Sequence, residues 1–183
     1  MAKIKLATTW LEACAGCHMS FLDIDERIVE LLNHVELSSS PITDLKHPPE
    51  SGVDVGIVTG GIGNEDEREE VKLMRERCKV LIALGDCAVT GGVCTMRNPW
   101  DKEDVLRCGY VETASTVDGE RPRNDDLPEL TDTVMALDQV VPIDVYLPGC
   151  PPNADRIWYV LSELVAGRMP KIEGEVLRYG LDA

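Results

Sequence analysis

Val53-Asp54-Val55-Gly56-Ile57-Val58 followed by Thr59-Gly60-Gly61-Ile62-Gly63-Asn64 decides how the rest of the chain is read. The first six residues are a mostly apolar run of strand length, and the glycines after it mark a loop. Glu65 to Arg77 then form a highly charged segment whose acidic residues crowd its start, where a helix dipole favours them. Lys79-Val80-Leu81-Ile82-Ala83-Leu84 is a second strand-like run. Strand, glycine loop, helix and strand in this order make a crossover unit, which requires a parallel sheet and a right-handed connection.

Working outward, the same grammar recurs on both sides. Ile4 to Trp10 reads as a first, buried strand. Ser20-Phe21-Leu22-Asp23 has capping-box-like spacing, and Phe21, Ile24, Ile28, Leu31, Leu32 and Val35 follow at helical intervals, predicting one helix with that core face. Ile143 to Leu147 supplies a fourth strand. A last helix starts near Asn153, carries Ile157, Val160, Leu161 and Leu164 inward, and stops at Gly167. The expected fold is α/β: residues 1–183 form a single domain on a flavodoxin-like, doubly wound parallel sheet, with a long irregular insertion, 95–141, before the last strand.

Parallel strands place the loops that follow them on one edge of the sheet, the usual ligand position in this class. Three of those loops carry cysteine: Cys14-Ala15-Gly16-Cys17 after the first strand, Gly85-Asp86-Cys87 with Gly91-Gly92 after the third, and Pro148-Gly149-Cys150-Pro151-Pro152 after the fourth. Cys14, Cys17, Cys87 and Cys150 can therefore converge although they are far apart in sequence. Thiolates are soft ligands that suit zinc or iron–sulfur iron. Structural zinc usually takes two compact knuckles, whereas here one pair is joined by two lone cysteines. Gly16, Gly85, Gly91, Gly92 and Gly149 also let backbone N–H groups approach inorganic sulfide, which favours an iron–sulfur cluster; a zinc-binding scaffold is the alternative.

Composition bounds the partners. The 183 residues are 44% hydrophobic and 28% charged, the profile of a soluble globular protein, and no apolar run is long enough to span a bilayer. A formal net charge of -15 without clustered Lys and Arg argues against nucleic acid. No secretory leader is legible at the start, so a cytoplasmic location is expected, where seven cysteines point to metal binding rather than disulfides.

These motifs carry a family resemblance. Trp10-Leu11-Glu12-Ala13-Cys14-Ala15-Gly16-Cys17-His18, Gly85-Asp86-Cys87 with Gly91-Gly92, and Pro148-Gly149-Cys150-Pro151-Pro152 together resemble the small subunit of nickel–iron hydrogenases. In that family CxGC, GxC and PGCPP hold a proximal 4Fe-4S cluster. CxGCH followed by Met19-Ser20-Phe21-Leu22-Asp23 is most similar to the bidirectional NAD-reducing type. The chain also resembles the 20 kDa iron–sulfur subunit of NADH dehydrogenases, which has adjacent cysteines where this chain has CxxC. The resemblance implies one 4Fe-4S cluster on Cys14, Cys17, Cys87 and Cys150, and no catalytic residues in this chain. It further implies a nickel–iron centre in a partner large subunit, with FMN and NAD in the iron–sulfur and flavin subunits of a diaphorase module. The stretch after the last helix, Lys171 to Ala183, has no Cys or His for a second cluster.

Other residues invite plainer readings. Cys78 is expected in the core, Cys94 in packing near the thiol loops, and Cys108 gives little to argue from. Glu12 reads as a solvated carboxylate or a proton carrier, and Asp86 as a partner of loop N–H groups. His18 adjoins a thiol, while His34 and His47 read as surface residues. A loop region as long as 95–141 is unusual unless it binds something, and Trp100 is its expected anchor on the large subunit. The Thr59-Gly60-Gly61 loop ranks low as a flavin phosphate cradle, because the flavodoxin phosphate loop follows the first strand, where CxxC sits.

Overall fold

A computed structural model describes residues 3–177; the end of the tail expected to lack further ligands, 178–183, lies outside the described residues. The central sheet is built from β1 (Ile4–Trp10), β2 (Val35–Ser39), β3 (Val53–Thr59), β5 (Cys78–Leu84) and β7 (Val145–Leu147). Its order is β2-β1-β3-β5-β7, and each neighbouring pair is parallel. Counting sheet strands alone, this is the 2-1-3-4-5 order of the flavodoxin-like class. The register pairs Trp10 with Thr59 and Thr59 with Leu84, so the ends of three strands reach one edge together.

Helices cover both faces. On one, α1 (Gly16–Leu22), α2 (Arg27–His34) and α6 (Ala154–Val165), with Ile24 in the turn between the first two, bury Ile24, Leu31, Ile157, Val160 and Leu161 against Leu6, Val55 and Ile82. On the other, α3 (Glu65–Arg77) and the short α4 (Asp86–Thr90) pack Val71, Met74 and Ala88 against Ala7, Val58, Leu81 and Ala83. Each fully buried Leu, Ile, Val or Met contributes about 1.5–3 kcal/mol, so these two apolar layers are the main force holding helices to sheet. The charged α3 is fixed at its start by Asn64, whose side chain accepts from Glu67 N at 2.9 Å while the Glu67 carboxylate accepts from Asn64 N. Asn153 caps α6 in the same manner, accepting from Asp155 N.

Two expectations are corrected. The helix predicted from Ser20 through Val35 is two helices: α1 already begins at Gly16, and Asp25, with φ 54°, breaks the chain before α2. Ser20 lies inside α1, and its hydroxyl donates to Pro152 O instead of capping. Leu32 is exposed, and Val35 opens the edge strand β2. The apolar spacing continued across the break, which hid it. The segment 95–141 is also only partly irregular, with no helix or strand over 111–129. It contains α5 (Lys102–Tyr110) and β6 (Leu130–Met135), and β6 pairs antiparallel with β4 (Ile62–Asn64) in a two-stranded ribbon. β6 is short, and its Thr131, Asp132 and Thr133 gave no apolar alternation to read.

Candidate metal centre

Cys14 and Cys17 bracket the start of α1. Ala15 takes a left-handed conformation, φ 65°, and turns the chain so that Gly16 and Cys17 enter the helix. Cys87 is the second residue of α4, directly after Gly85 at the end of β5. Cys150 follows β7 in a loop whose Cys150–Pro151 peptide is cis. Cys14 and Cys150 are exposed, Cys17 is half-buried and Cys87 is buried.

Two of the four thiols, Cys17 and Cys150, are shifted by their surroundings. Burial pushes the Cys17 thiol up to about 12, and Cys87, Cys14, Cys150 and Asp86 add to the rise. Cys150 is also raised, first by burial and then by Cys87, Asp86 and Cys14. Thiols that repel as thiolates hold protons until a cation joins them; bound metal reverses this logic and releases the protons. Among the described residues, no three His, Cys, Asp or Glu side chains form a group that could hold a single metal ion.

Bare glycine backbone lines the thiols. A Cβ on Gly85 would stand 2.2 Å from Cys17 Sγ, and one on Gly92 would stand 2.9 Å from Cys87 Sγ. The loops are also tied to each other. Asp86 N donates to Gly149 O at 2.9 Å, Gly149 N donates to the Asp86 carboxylate at 2.7 Å, and Gly85 N donates to Leu147 O at 2.8 Å.

The neighbours of the thiols depart from their sequence reading in instructive ways. His18 is buried, with Nδ1 3.1 Å from Thr59 Oγ1 and its ring edge-on to Trp10 at 5.2 Å. Burial lowers its pKa to about 4, so it is neutral near neutrality. Glu12 is half-buried instead of solvated: its backbone exchanges two hydrogen bonds with Gly61, its carboxyl packs against Gly63, and burial raises its pKa against the pull of Arg97. Cys94 donates its thiol to Glu12 O at 3.0 Å, and burial pushes it up to about 12. Cys78 is a core residue, whereas His34, His47, Trp100 and Cys108 are exposed. Sequence reasoning missed the Ser20 bond to Pro152, which braces the third loop against α1, because nothing local announces a contact across 132 residues.

A doubly wound sheet of this strand order, with the cysteine-bearing loops that follow β1, β5 and β7 at its carboxyl edge, defines a flavodoxin-like protein. The chain belongs to the family of the NADH ubiquinone oxidoreductase 20 kDa subunit, whose model matches residues 14–164. It is 43% identical over 180 residues to the delta subunit of the NAD-reducing hydrogenase HoxS of Cupriavidus necator, an alignment covering 97% of this chain and 86% of that one. It is 37% identical over 167 residues to a subunit of the F420-non-reducing hydrogenase of Methanothermobacter thermautotrophicus, covering 90% of this chain but 54% of that relative, so it spans about half its length.

Among solved structures, a chain of an NAD+-reducing [NiFe]-hydrogenase in the H2-reduced state superposes with a TM-score of 0.93 at 36% identity, covering 98% of this chain and all of that one. The [NiFeSe] hydrogenase of Desulfovibrio vulgaris Hildenborough, at 14% identity and a TM-score of 0.58, shares the fold. These relatives are hydrogenase proteins, and hydrogenases are oxidoreductases. No helix among the described residues is long and apolar enough to cross a membrane.

Proposed function

We propose that the chain is the electron-transferring small subunit of a cytoplasmic, NAD-reducing nickel–iron hydrogenase, with Cys14, Cys17, Cys87 and Cys150 holding one proximal 4Fe-4S cluster. The observation that carries this reading is the arrangement of the three cysteine loops: Gly85 of the second loop lies against Cys17 Sγ of the first, and the Asp86–Gly149 hydrogen bonds tie the second loop to the third. The donor set fits the group: four soft ligands, glycine backbone against two of the sulfurs, and a partly buried edge. When bound, such a cluster supplies one-electron relay. The chain's own residues supply the rest: Gly85 and Gly92 keep side chains away from the sulfurs, and the Asp86–Gly149 pair holds two loops in register.

In this reading hydrogen is split at a nickel–iron centre in a large subunit, and electrons leave towards the iron–sulfur and flavin subunits of a diaphorase that binds FMN and NAD. The similarity to the Cupriavidus necator protein, over nearly the whole of both chains, supports it. The segment 95–141, with Trp100 67% exposed, is the proposed large-subunit contact. A second reading, the iron–sulfur subunit of an NADH:quinone oxidoreductase-like complex, is favoured by the family description. Cys14-Ala15-Gly16-Cys17, in place of adjacent cysteines, weighs against it.

The test is iron, zinc and acid-labile sulfide per chain on anaerobically purified protein, with EPR after reduction. About four iron and four sulfide are expected; about one zinc without sulfide would leave a zinc-binding scaffold instead. Cys87→Ser and Cys150→Ser should each abolish hydrogen-dependent NAD reduction by the complex while its diaphorase activity persists. Unchanged hydrogen-dependent activity would overturn the assignment.

A further inference from the structure

We propose that Asp86 is a positioning residue that sets the charge of the thiol site: its carboxylate clamps the Cys87 loop to the Cys150 loop and holds the reduction potential of the bound group down. The inference rests on the reading of the four thiols as cluster ligands.

The clamp is reciprocal. Asp86 N donates to Gly149 O at 2.9 Å, and Gly149 N donates back to Asp86 Oδ1 at 2.7 Å. Gly85 N to Leu147 O, at 2.8 Å, extends the parallel pairing of β5 and β7 right up to this pair. The residues following Asp86 and Gly149 are Cys87 and Cys150. Two cysteines 63 residues apart thus each follow directly on one hydrogen-bonded rung. A hydrogen bond to a charged acceptor is stronger than a neutral one, so the carboxylate is the stronger half of the clamp.

The same carboxylate acts on the thiols electrostatically. Asp86 directly precedes Cys87, and its Oδ1 lies 2.7 Å from N of Gly149, which directly precedes Cys150, so its charge stands beside two of the four proposed ligands. Reducing a cluster adds one electron to that region. A fixed negative charge beside it opposes the added electron, and the half-buried position weakens solvent screening. A residue that served only to cap a loop would hold the thiols in place without moving the potential.

Asp86→Asn separates the two roles, because the amide oxygen still accepts from Gly149 N while the charge is gone. Asp86→Ala removes both, and Asp86→Glu keeps the charge. Each variant is purified anaerobically in the full complex, assayed for iron and sulfide, and titrated with dithionite and mediators while the reduced cluster is read by EPR. The expected result for Asp86→Asn is parental iron, sulfide and signal shape, with the reduced-to-oxidised ratio at a given ambient potential raised about tenfold, or ~59 mV for one electron. Asp86→Glu should keep the parental midpoint, and Asp86→Ala should lose iron that Asp86→Asn retains. An Asp86→Asn midpoint equal to the parent's, or equal displacement in Asn and Glu variants, would overturn the charge role. A parent complex whose small subunit carries no iron or sulfide would remove the cluster reading itself, and is seen before any substitution is made.

Discussion

Gly85 turns its bare Cα towards the thiol of Cys17, and a side chain there would occupy the space of the sulfur. A Cβ would stand 2.2 Å from Cys17 Sγ, and φ 88° at Gly85 is a conformation that L side chains rarely adopt. Gly85→Ala is therefore expected to cost about 1–3 kcal/mol in strain and to displace one ligand. Iron per chain should fall to about half or less of the parental value. Gly109→Ala is the control: Gly109 lies in α5 with nothing within 4 Å of an added Cβ, so iron content should be unchanged.

Cys78 opens β5 with its thiol against Gly56 of β3. A Cβ on Gly56 would lie 2.4 Å from Cys78 Sγ and 2.9 Å from Leu81 Cδ1, both buried. Gly56→Ala overfills this layer and should destabilise the fold by about 1–3 kcal/mol in chemical denaturation. Cys78→Ala combined with Gly56→Ala should recover part of that loss, since it removes the sulfur in the way. Because neither residue touches the thiol site, sulfide content of the folded fraction should not change.

Arg75 joins α3 to the start of β5 and the approach to β7. It bonds Asp144 Oδ2 at 2.6 Å, Pro142 O at 3.1 Å, Cys78 O at 2.7 Å and Lys79 O at 3.0 Å, while Asp144 also accepts from Leu81 N at 2.7 Å. Burial pushes the Asp144 carboxyl up, but Arg75 and Leu81 N hold it below its ordinary value on balance. A carboxyl depressed in the folded state stabilises above its unfolded pKa, and the contribution is lost as pH falls through the folded one. Thermal unfolding as pH falls through and below the ordinary carboxylate range should show this slope in the parent and a shallower slope in Asp144→Asn. Arg75→Ala should cost about 1–3 kcal/mol, since several acceptors lose their donor together.

Asn98 fixes β6 from outside the ribbon. Its Nδ2 donates to Val134 O at 2.9 Å, and Val134 N donates to its Oδ1 at 2.7 Å, imitating a strand partner. Arg97 reinforces it with bonds to Gly63 O and Thr131 O, both 3.0 Å. Asn98→Ala leaves one N–H and one carbonyl of β6 unpaired and should raise amide hydrogen exchange over Leu130–Met135 at least about tenfold, following a loss of roughly 1–3 kcal/mol. Exchange in β1 and β3, which make no such contact, should be unaltered.

Amino-acid sequence alone determined the strands β1, β3, β5 and β7, the helices α3 and α6, and the three cysteine loops. Those features rest on local causes: apolar runs, 3.6-residue periodicity, acidic first turns and glycine at loops. Tertiary structure decided the rest. Asp25 splits a helix whose apolar spacing ran on unbroken, and β2 exists because Val35 to Leu37 find β1 as a parallel partner. Polar β6 is held by β4, Arg97 and Asn98, while Ser20 and Asp86 direct their hydrogen bonds to Pro152 and Gly149. His18 is buried and neutral because Trp10 and Thr59 enclose it, which no residue beside it in the chain foretells. A hydrogen bond across 63 or 132 residues leaves no periodic trace, since the energy that selects it comes from partners the chain meets only after the sheet has formed.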